Sequence, residues 1–227
     1  MSGSGETRTV VVTGAASGIG AAIAARLAAE GWSVVGVDRA ESKGSTASRL
    51  VDLADEAAVA RLATSLRGAD ALVHAAGFMR TAPLGEIDLA DGDAMWAVHV
   101  RALTVLANGL APSMGAGGRI LAIGSRTSAG AAGRSQYTAC KAAVTGLIRS
   151  WAMELVARGV TANVIAPAAT ETGLLSAPSR ESAPPKTPPM GRFIRPHEVA
   201  AYAAFILSRD ADAITGQELL ICGGASL

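Results

Sequence analysis

The chain has 227 residues, half of them hydrophobic and 17% charged, and 20 Lys and Arg against 19 Asp and Glu leave a net charge of +1. That length fits one domain closed around a single core, and the apolar share excludes a chain disordered throughout. A balanced charge lacks the basic excess that gripping a phosphate backbone requires, so nucleic acid is not an expected partner.

The first predicted element is the β-branched run at 9–13 (TVVVT), apolar enough for a strand buried on both faces. Ile19, Ile23 and Leu27 then recur every four residues, a helical period. Further strands are expected at 33–37, 71–74, 119–123 and 160–165, with weaker candidates at 50–52 and 219–222. Trp96, Val100, Leu103, Ala107 and Leu110 keep the 3–4 spacing of a long helix, as do Val144, Ile148, Trp151 and Leu155. Met95, Trp96, Trp151 and Met153 read as core or subunit-interface residues. Strands alternating with helices imply right-handed βαβ units. The expected fold is a doubly wound Rossmann-type α/β domain, a parallel sheet with helices on both faces, spanning residues 1–227 as one dinucleotide-binding catalytic domain.

Residues 173–196 break the rhythm, with six of the nine prolines (Pro178, Pro184, Pro185, Pro188, Pro189 and Pro196). A segment of this kind leaving the carboxyl edge of a sheet is expected to serve as a substrate lid. MSGSGETR lacks the basic-then-apolar layout of a signal peptide, so no secretory signal is expected. Uncharged stretches at 9–25 and 102–118 are broken by Gly, Asn or Pro and fall short of a membrane span, so no membrane partner is expected. Cys140 and Cys222 cannot build a disulfide framework, and the expected compartment is the cytoplasm.

Two motifs carry chemistry. Thr13-Gly14-Ala15-Ala16-Ser17-Gly18-Ile19-Gly20 follows the first strand and opens the first helix. Gly14 permits a tight turn, Gly18 lets backbone approach a pyrophosphate, and Gly20 lets helix and strand pack closely, with the helix N-terminus facing the phosphates. Asp38 ends the second strand, where its carboxylate can accept from adenosine ribose hydroxyls and would repel a 2′-phosphate. NAD is therefore favoured over NADP, although Arg39 beside it could pair with that phosphate. The second motif is Tyr137-Thr138-Ala139-Cys140-Lys141, preceded by Ser125. Tyr and Lys four apart share one helix face. A tyrosine titrates near pH 10 in water, and a neighbouring ammonium favours its phenolate. Tyr137 is then the expected acid/base for an alcohol or ketone, and Ser125 the hydrogen-bonding partner of the same oxygen.

In order and spacing these residues resemble the short-chain dehydrogenases/reductases over essentially the whole chain. The resemblance rests on TGAASGIG, Asp38, Asp52-Leu53, HAAG at 74–77, Ser125, YTACK, Asn163 with Pro167 and Thr172, and ITGQ at 214–217. It implies that Asp52 and Leu53 contact adenine and that Ala76 and Gly77 lie along the cofactor. It likewise implies that Pro167 and Thr172 hold the nicotinamide carboxamide, that Lys141 binds the nicotinamide ribose, and that the protein is a homotetramer built on helices near 95–111 and 137–157.

The departures are as informative. His74 replaces the Asn usual before AAG, and His99 stands at the Asn position of the catalytic tetrad. His99 is expected on the helix face of Trp96 and Leu103, retaining the proton relay through its main-chain carbonyl. His74 is expected to satisfy groups between strands, and His197 to lie on the surface. Thirteen residues between Asp38 and Asp52 leave no room for the usual helix, which resembles members acting on cyclic dihydrodiols and small hydroxy acids. Arg80 and Arg126 could read a substrate carboxylate, but a solvated or intrachain-paired arginine is the preferred reading of each. No metal site is expected. The leading function is NAD-linked interconversion of a secondary alcohol and its ketone. The alternatives are an NADPH-dependent 3-oxoacyl thioester reductase and a low-turnover dinucleotide-binding scaffold or sensor.

Overall fold

Seven strands pair in parallel, in the order β3-β2-β1-β4-β5-β6-β7. They are β1 (Thr9–Thr13), β2 (Ser33–Asp38), β3 (Ala47–Leu50), β4 (Ala71–His74), β5 (Arg119–Ile123), β6 (Thr161–Pro167) and β7 (Glu218–Ile221). Among the described residues six α-helices accompany them: α1 (Gly18–Ala29), α2 (Glu56–Ser65), α3 (Leu89–Trp96), α4 (Ala102–Leu110), α5 (Ser135–Leu155) and α6 (Pro196–Leu207). The structure, a computed structural model, describes residues 7–175 and 183–227. The chain winds outward from β1 to β3, then returns to β4 and winds the other way. This reversal opens a crevice at the carboxyl ends of β1 and β4.

Successive strand residues feed opposite layers, as period-two geometry requires. Val10 and Val12 of β1, Ala71 and Val73 of β4, and Leu121 and Ile123 of β5 pack with Ile23 and Leu27 of α1 and Val199 and Ala203 of α6. Val11, Leu72, Ile120 and Ala122 face Leu103 and Leu106 of α4 and Val144 and Ile148 of α5. Each large aliphatic side chain so buried contributes about 1.5–3 kcal/mol relative to exposure. Both faces are covered, so the central strands read as unbroken apolar runs.

The edges differ from the sequence reading. The weak strand expected at 50–52 lies at Ala47–Leu50. Asp52 instead turns the chain, its Oδ1 accepting from the Ala54 N–H at 2.9 Å, and Leu53 drops into the core. The loop at 39–46 carries no helix, as its length implies, and lies flat on β2. Ser42 is buried there and donates to the Ala15 carbonyl at 2.8 Å, and a Cβ on Gly36 would run into Ser42 and Ser45. Helix α2 was not anticipated, although Asp55 caps it by accepting from the Ala58 N–H at 2.9 Å and Val59 and Leu62 face inward.

The largest correction concerns the long helix before β5. A π-turn, Ala97–Arg101, separates α3 from α4. Its extra residue shifts the helical phase. Met95 and His99 therefore point inward, whereas Trp96, expected on the face of His99 and Leu103, is 42% exposed. The helical run Leu89–Ser113 has a mean hydropathy of 1.2 over its most apolar window and is long enough to cross a membrane, but half of that window is buried inside this fold.

Candidate active site

The turn after β1 is shaped by its glycines. Gly14 has a φ of +70°, donates its N–H to the Val37 carbonyl at 2.9 Å, and lies so close to the strand ends that a Cβ on it would sit 2.8 Å from Ala76 Cα. A Cβ on Gly20 would collide with the Gly14 carbonyl, which is why helix and turn require glycine at both positions. Gly18, with a φ of +55°, faces Thr172 across a gap in which a Cβ would come within 3.2 Å of Cγ2. Ser17 precedes α1 in an extended conformation without capping it, and Ile19 opens onto the main cavity.

Asp38 ends β2 beside this turn. Its Oδ2 accepts from the Ala16 N–H at 3.1 Å and its Oδ1 from the Arg39 N–H at 2.6 Å and the Ala40 N–H at 3.4 Å, which anchors the carboxylate and leaves Oδ2 free to accept a further bond. Val51 donates to the Asp38 carbonyl at 2.8 Å, which brings exposed Asp52 and buried Leu53 alongside.

His74 ties the turn to the helical layer. The Thr13 hydroxyl accepts from the Ala75 and Ala76 N–H groups, each at 3.2 Å, so its own proton goes to His74 Nδ1 at 3.0 Å. That fixes the tautomer: Nε2–H donates to the Val98 carbonyl at 3.1 Å, at the π-turn. Burial, with the charge of Lys141, pushes this imidazole down to about 3.

At the other end, Tyr137 and Lys141 lie one turn apart on α5, both buried. Lys141 Nζ donates to the Ile123 carbonyl at 2.7 Å and sits 5.7 Å from the centre of the Tyr137 ring. Burial lowers its ammonium from 10.5 to about 8, so it stays charged at neutral pH. Buried Ser125 follows β5; its Oγ lies 2.9 Å from Thr127 Oγ1 and accepts from the Thr127 N–H at 3.2 Å. His99 packs edge-on against the Tyr137 ring, with centroids 5.7 Å apart. Its Nε2 is 2.8 Å from the Phe78 carbonyl, its ring fills the space a Cβ on Gly77 would need, and Nδ1 has no partner among the described residues. Burial and then the Lys141 charge hold this imidazole well below its usual 6.5.

A cavity of about 680 Å³ joins these parts. Ile19, Gly77, His99, Ser125, Tyr137, Lys141, Pro167 and Thr172 line it; the glycines of the turn, Asp38, Asp52, Leu53 and Ala76 do not. Arg80 is intrachain-paired as expected, with Asp91 at 3.4 Å, and lies over the Phe78 ring. Arg126 lines the cavity. So does Arg134, which the sequence reading missed although it stands one turn before Tyr137. Of the segment at 173–196, residues 176–182 lie outside the described residues. Its far end is anchored: Ile194 is buried and bridges to Thr170, and Pro196 begins α6 with exposed His197 after it.

Comparison with known proteins places this geometry. Residues 14–226 match a family model described as enoyl-(acyl carrier protein) reductase. A cis-4-hydroxycyclohexanecarboxylate dehydrogenase from Sinomonas cyclohexanicum is 35% identical, covering 96% of each chain. The chain belongs to the short-chain dehydrogenase/reductase family. A family member from Burkholderia cenocepacia, solved with NADP, superposes with a TM-score of 0.85 at 32% identity, covering 97% of this chain and 98% of that one. A 3-ketoacyl-(acyl-carrier-protein) reductase from Brucella melitensis, solved with NADH, gives 0.85 at 28% identity, covering 98% and 99%. The protein is an NAD(P)-dependent oxidoreductase of this family acting on CH–OH groups.

Proposed function

We propose that the enzyme interconverts a secondary alcohol and its ketone, with NAD as the preferred cofactor and Tyr137 as acid/base. The observation that carries this reading is one cavity that joins Ser125, Tyr137 and Lys141 to Ile19, Pro167 and Thr172. The glycine turn fits a dinucleotide: Gly14 and Gly20 let the turn fold tightly against Ala76 and itself, and α1 begins at Gly18 with its amino end facing Thr172. Asp38 and Asp52 would hold the adenosine end, with Leu53 and Ala76 behind it, and Pro167, Thr172 and Lys141 the nicotinamide end. When bound, the nicotinamide takes or returns the hydride.

The chain's own residues manage the proton. Tyr137 removes it from the carbinol oxygen, or returns it to a ketone, while Lys141 stabilises the phenolate. Ser125 donates to the same oxygen as charge develops, and Thr127 keeps its hydroxyl oriented. His99 orients the Tyr137 ring and carries the proton path on its main-chain carbonyl; an imidazole locked on Phe78 and held neutral is a poor proton carrier. The segment at 173–196 covers the substrate. Half-exposed Trp96 and exposed Met153 and Val156 fit a homotetramer built on the helices that carry them, and two free thiols fit the cytoplasm.

A second reading, an NADPH-dependent 3-oxoacyl thioester reductase, draws its substrate from the Brucella relative, and its cofactor from the Burkholderia relative solved with NADP and from exposed Arg39 beside Asp38. A screen of cyclic alcohols, dihydrodiols and hydroxy acids, following the absorbance of reduced cofactor, separates the two. NAD-linked oxidation is expected. A preference for NADP with oxoacyl thioesters would transfer the assignment to the second reading, and no turnover at all would favour the scaffold.

A further inference from the structure

The wall of the cavity around Tyr137 is cationic. Arg126 directly follows Ser125, and Arg134 is the N-cap residue of α5, three residues before Tyr137; both line the cavity. Lys186 borders the same space, and no aspartate or glutamate among the described residues lines it. Arg126 makes no hydrogen bond or ion pair to another described residue. Arg134 uses Nη2 alone, donating to the carbonyls of Ala183 at 2.8 Å and Pro184 at 3.2 Å, while its Nε is buried without an acceptor. Burial lowers the Arg134 pKa, the neighbouring Tyr137 hydroxyl opposes this, and the Arg126 charge adds to the lowering, so the two guanidinium groups feel each other.

Two like charges with spare donors beside a reaction centre describe a site that lacks its anion. We propose that Arg126 and Arg134 form a carboxylate-binding subsite next to the Ser125–Tyr137 couple, so that the substrate is a hydroxy acid, or the matching oxo acid, with its carboxylate a few carbons from the carbinol. The guanidinium fork matches a carboxylate with two parallel hydrogen bonds, which a neutral amide or ester cannot reproduce. The inference rests on the reading of Ser125 and Tyr137 as the pair that holds the carbinol, and it replaces the solvated Arg126 that sequence alone favoured.

The test is calorimetry on the NAD-loaded full chain, titrated with matched acids and amides: butyrate and butyramide, benzoate and benzamide, cyclohexanecarboxylate and its carboxamide. At least one acid is expected to bind about tenfold tighter than its amide, a difference typical of a lost charged hydrogen-bonding pair. Arg126→Met and Arg134→Met should each bring that ratio close to one, and Arg126→Lys should retain part of it. A purely structural role for either arginine would not move the ratio. Equal binding of acids and amides throughout the series overturns the subsite, as does a preference that survives both Met variants. Failure of the underlying reading has a different signature: the acid preference persists, yet Tyr137→Phe oxidises alcohols as fast as the parent.

Discussion

Lowering the pH from 6 to 5 should destabilise this protein through two buried histidines. His74 and His99 are both buried neutral, His74 at about 3 and His99 well below 6.5, while in the unfolded chain each titrates near 6.5. Below that value the unfolded chain binds two protons that the folded state refuses, so stability falls as pH falls. Each proton contributes a slope of about 1.4 kcal/mol per pH unit when fully developed, and with an unfolded pKa near 6.5 the two together remove roughly 2.4 kcal/mol between pH 6 and 5. Glu198 acts in a separate window. Its pairing with Arg192 holds it at about 2, so the stabilisation it gives is present above about 4.5 and is lost only as pH falls toward 2. Urea unfolding followed by tryptophan fluorescence at pH 7, 6 and 5 measures the effect, and His99→Asn should halve the loss to roughly 1.2 kcal/mol. Stability that stays level from pH 6 to 5, or a slope unchanged in His99→Asn, would refute the reasoning.

Other consequences follow from single contacts. Asp38→Ala should weaken NAD binding by roughly 1.5–3 kcal/mol, the range for a charged hydrogen-bonding partner, and leave NADP less affected; equal losses for both cofactors in a titration would argue against the ribose contact. Gly77→Ala puts a methyl group against the His99 ring, within 2.8 Å of Nδ1, and should cost about 1–3 kcal/mol of stability as overpacking; an unchanged melting curve would mean that the ring is free to move. Over residues 183–189, amide exchange should be fast in the free protein and slow with cofactor and substrate, whereas Met190 and Ile194, whose N–H groups donate to the Gly223 and Ala169 carbonyls, should be protected in both; equal protection of 183–189 in both states would describe a static loop.

The central sheet was legible because its strands are buried on both faces, so β1, β4 and β5 are continuous apolar runs that can hardly be read otherwise. The edge was not. β3 pairs on one side only, and its Ala47-Ser48-Arg49-Leu50 sequence carries no burial signal. Trp96 was misplaced for a different reason: a periodicity argument assumes 3.6 residues per turn throughout, and one π-turn moves every residue before it to another face. At the site, Tyr137 and Lys141 could be set side by side from spacing because four residues on a helix fix a common face, whereas Ser125 comes to the same cavity from the end of β5. Arg134 stands at the N-cap of the same helix, where helical spacing no longer applies, and nothing in a lone sequence says that its guanidinium faces a cavity. The tautomer of His74 likewise emerges only from partners distant in sequence, the Thr13 hydroxyl and the Val98 carbonyl.

Tyr137→Phe tests the account most directly. NAD reduction by a secondary alcohol is measured in a single turnover, after cofactor binding has been verified for both proteins. Removing the phenolic hydroxyl leaves the ring against His99 and Lys141 in place and takes away only the proton acceptor. The rate should fall by about 10²–10⁴ with cofactor affinity retained. A variant within about tenfold of the parent, a difference of only roughly 1.4 kcal/mol in barrier, would contradict Tyr137 as the acid/base.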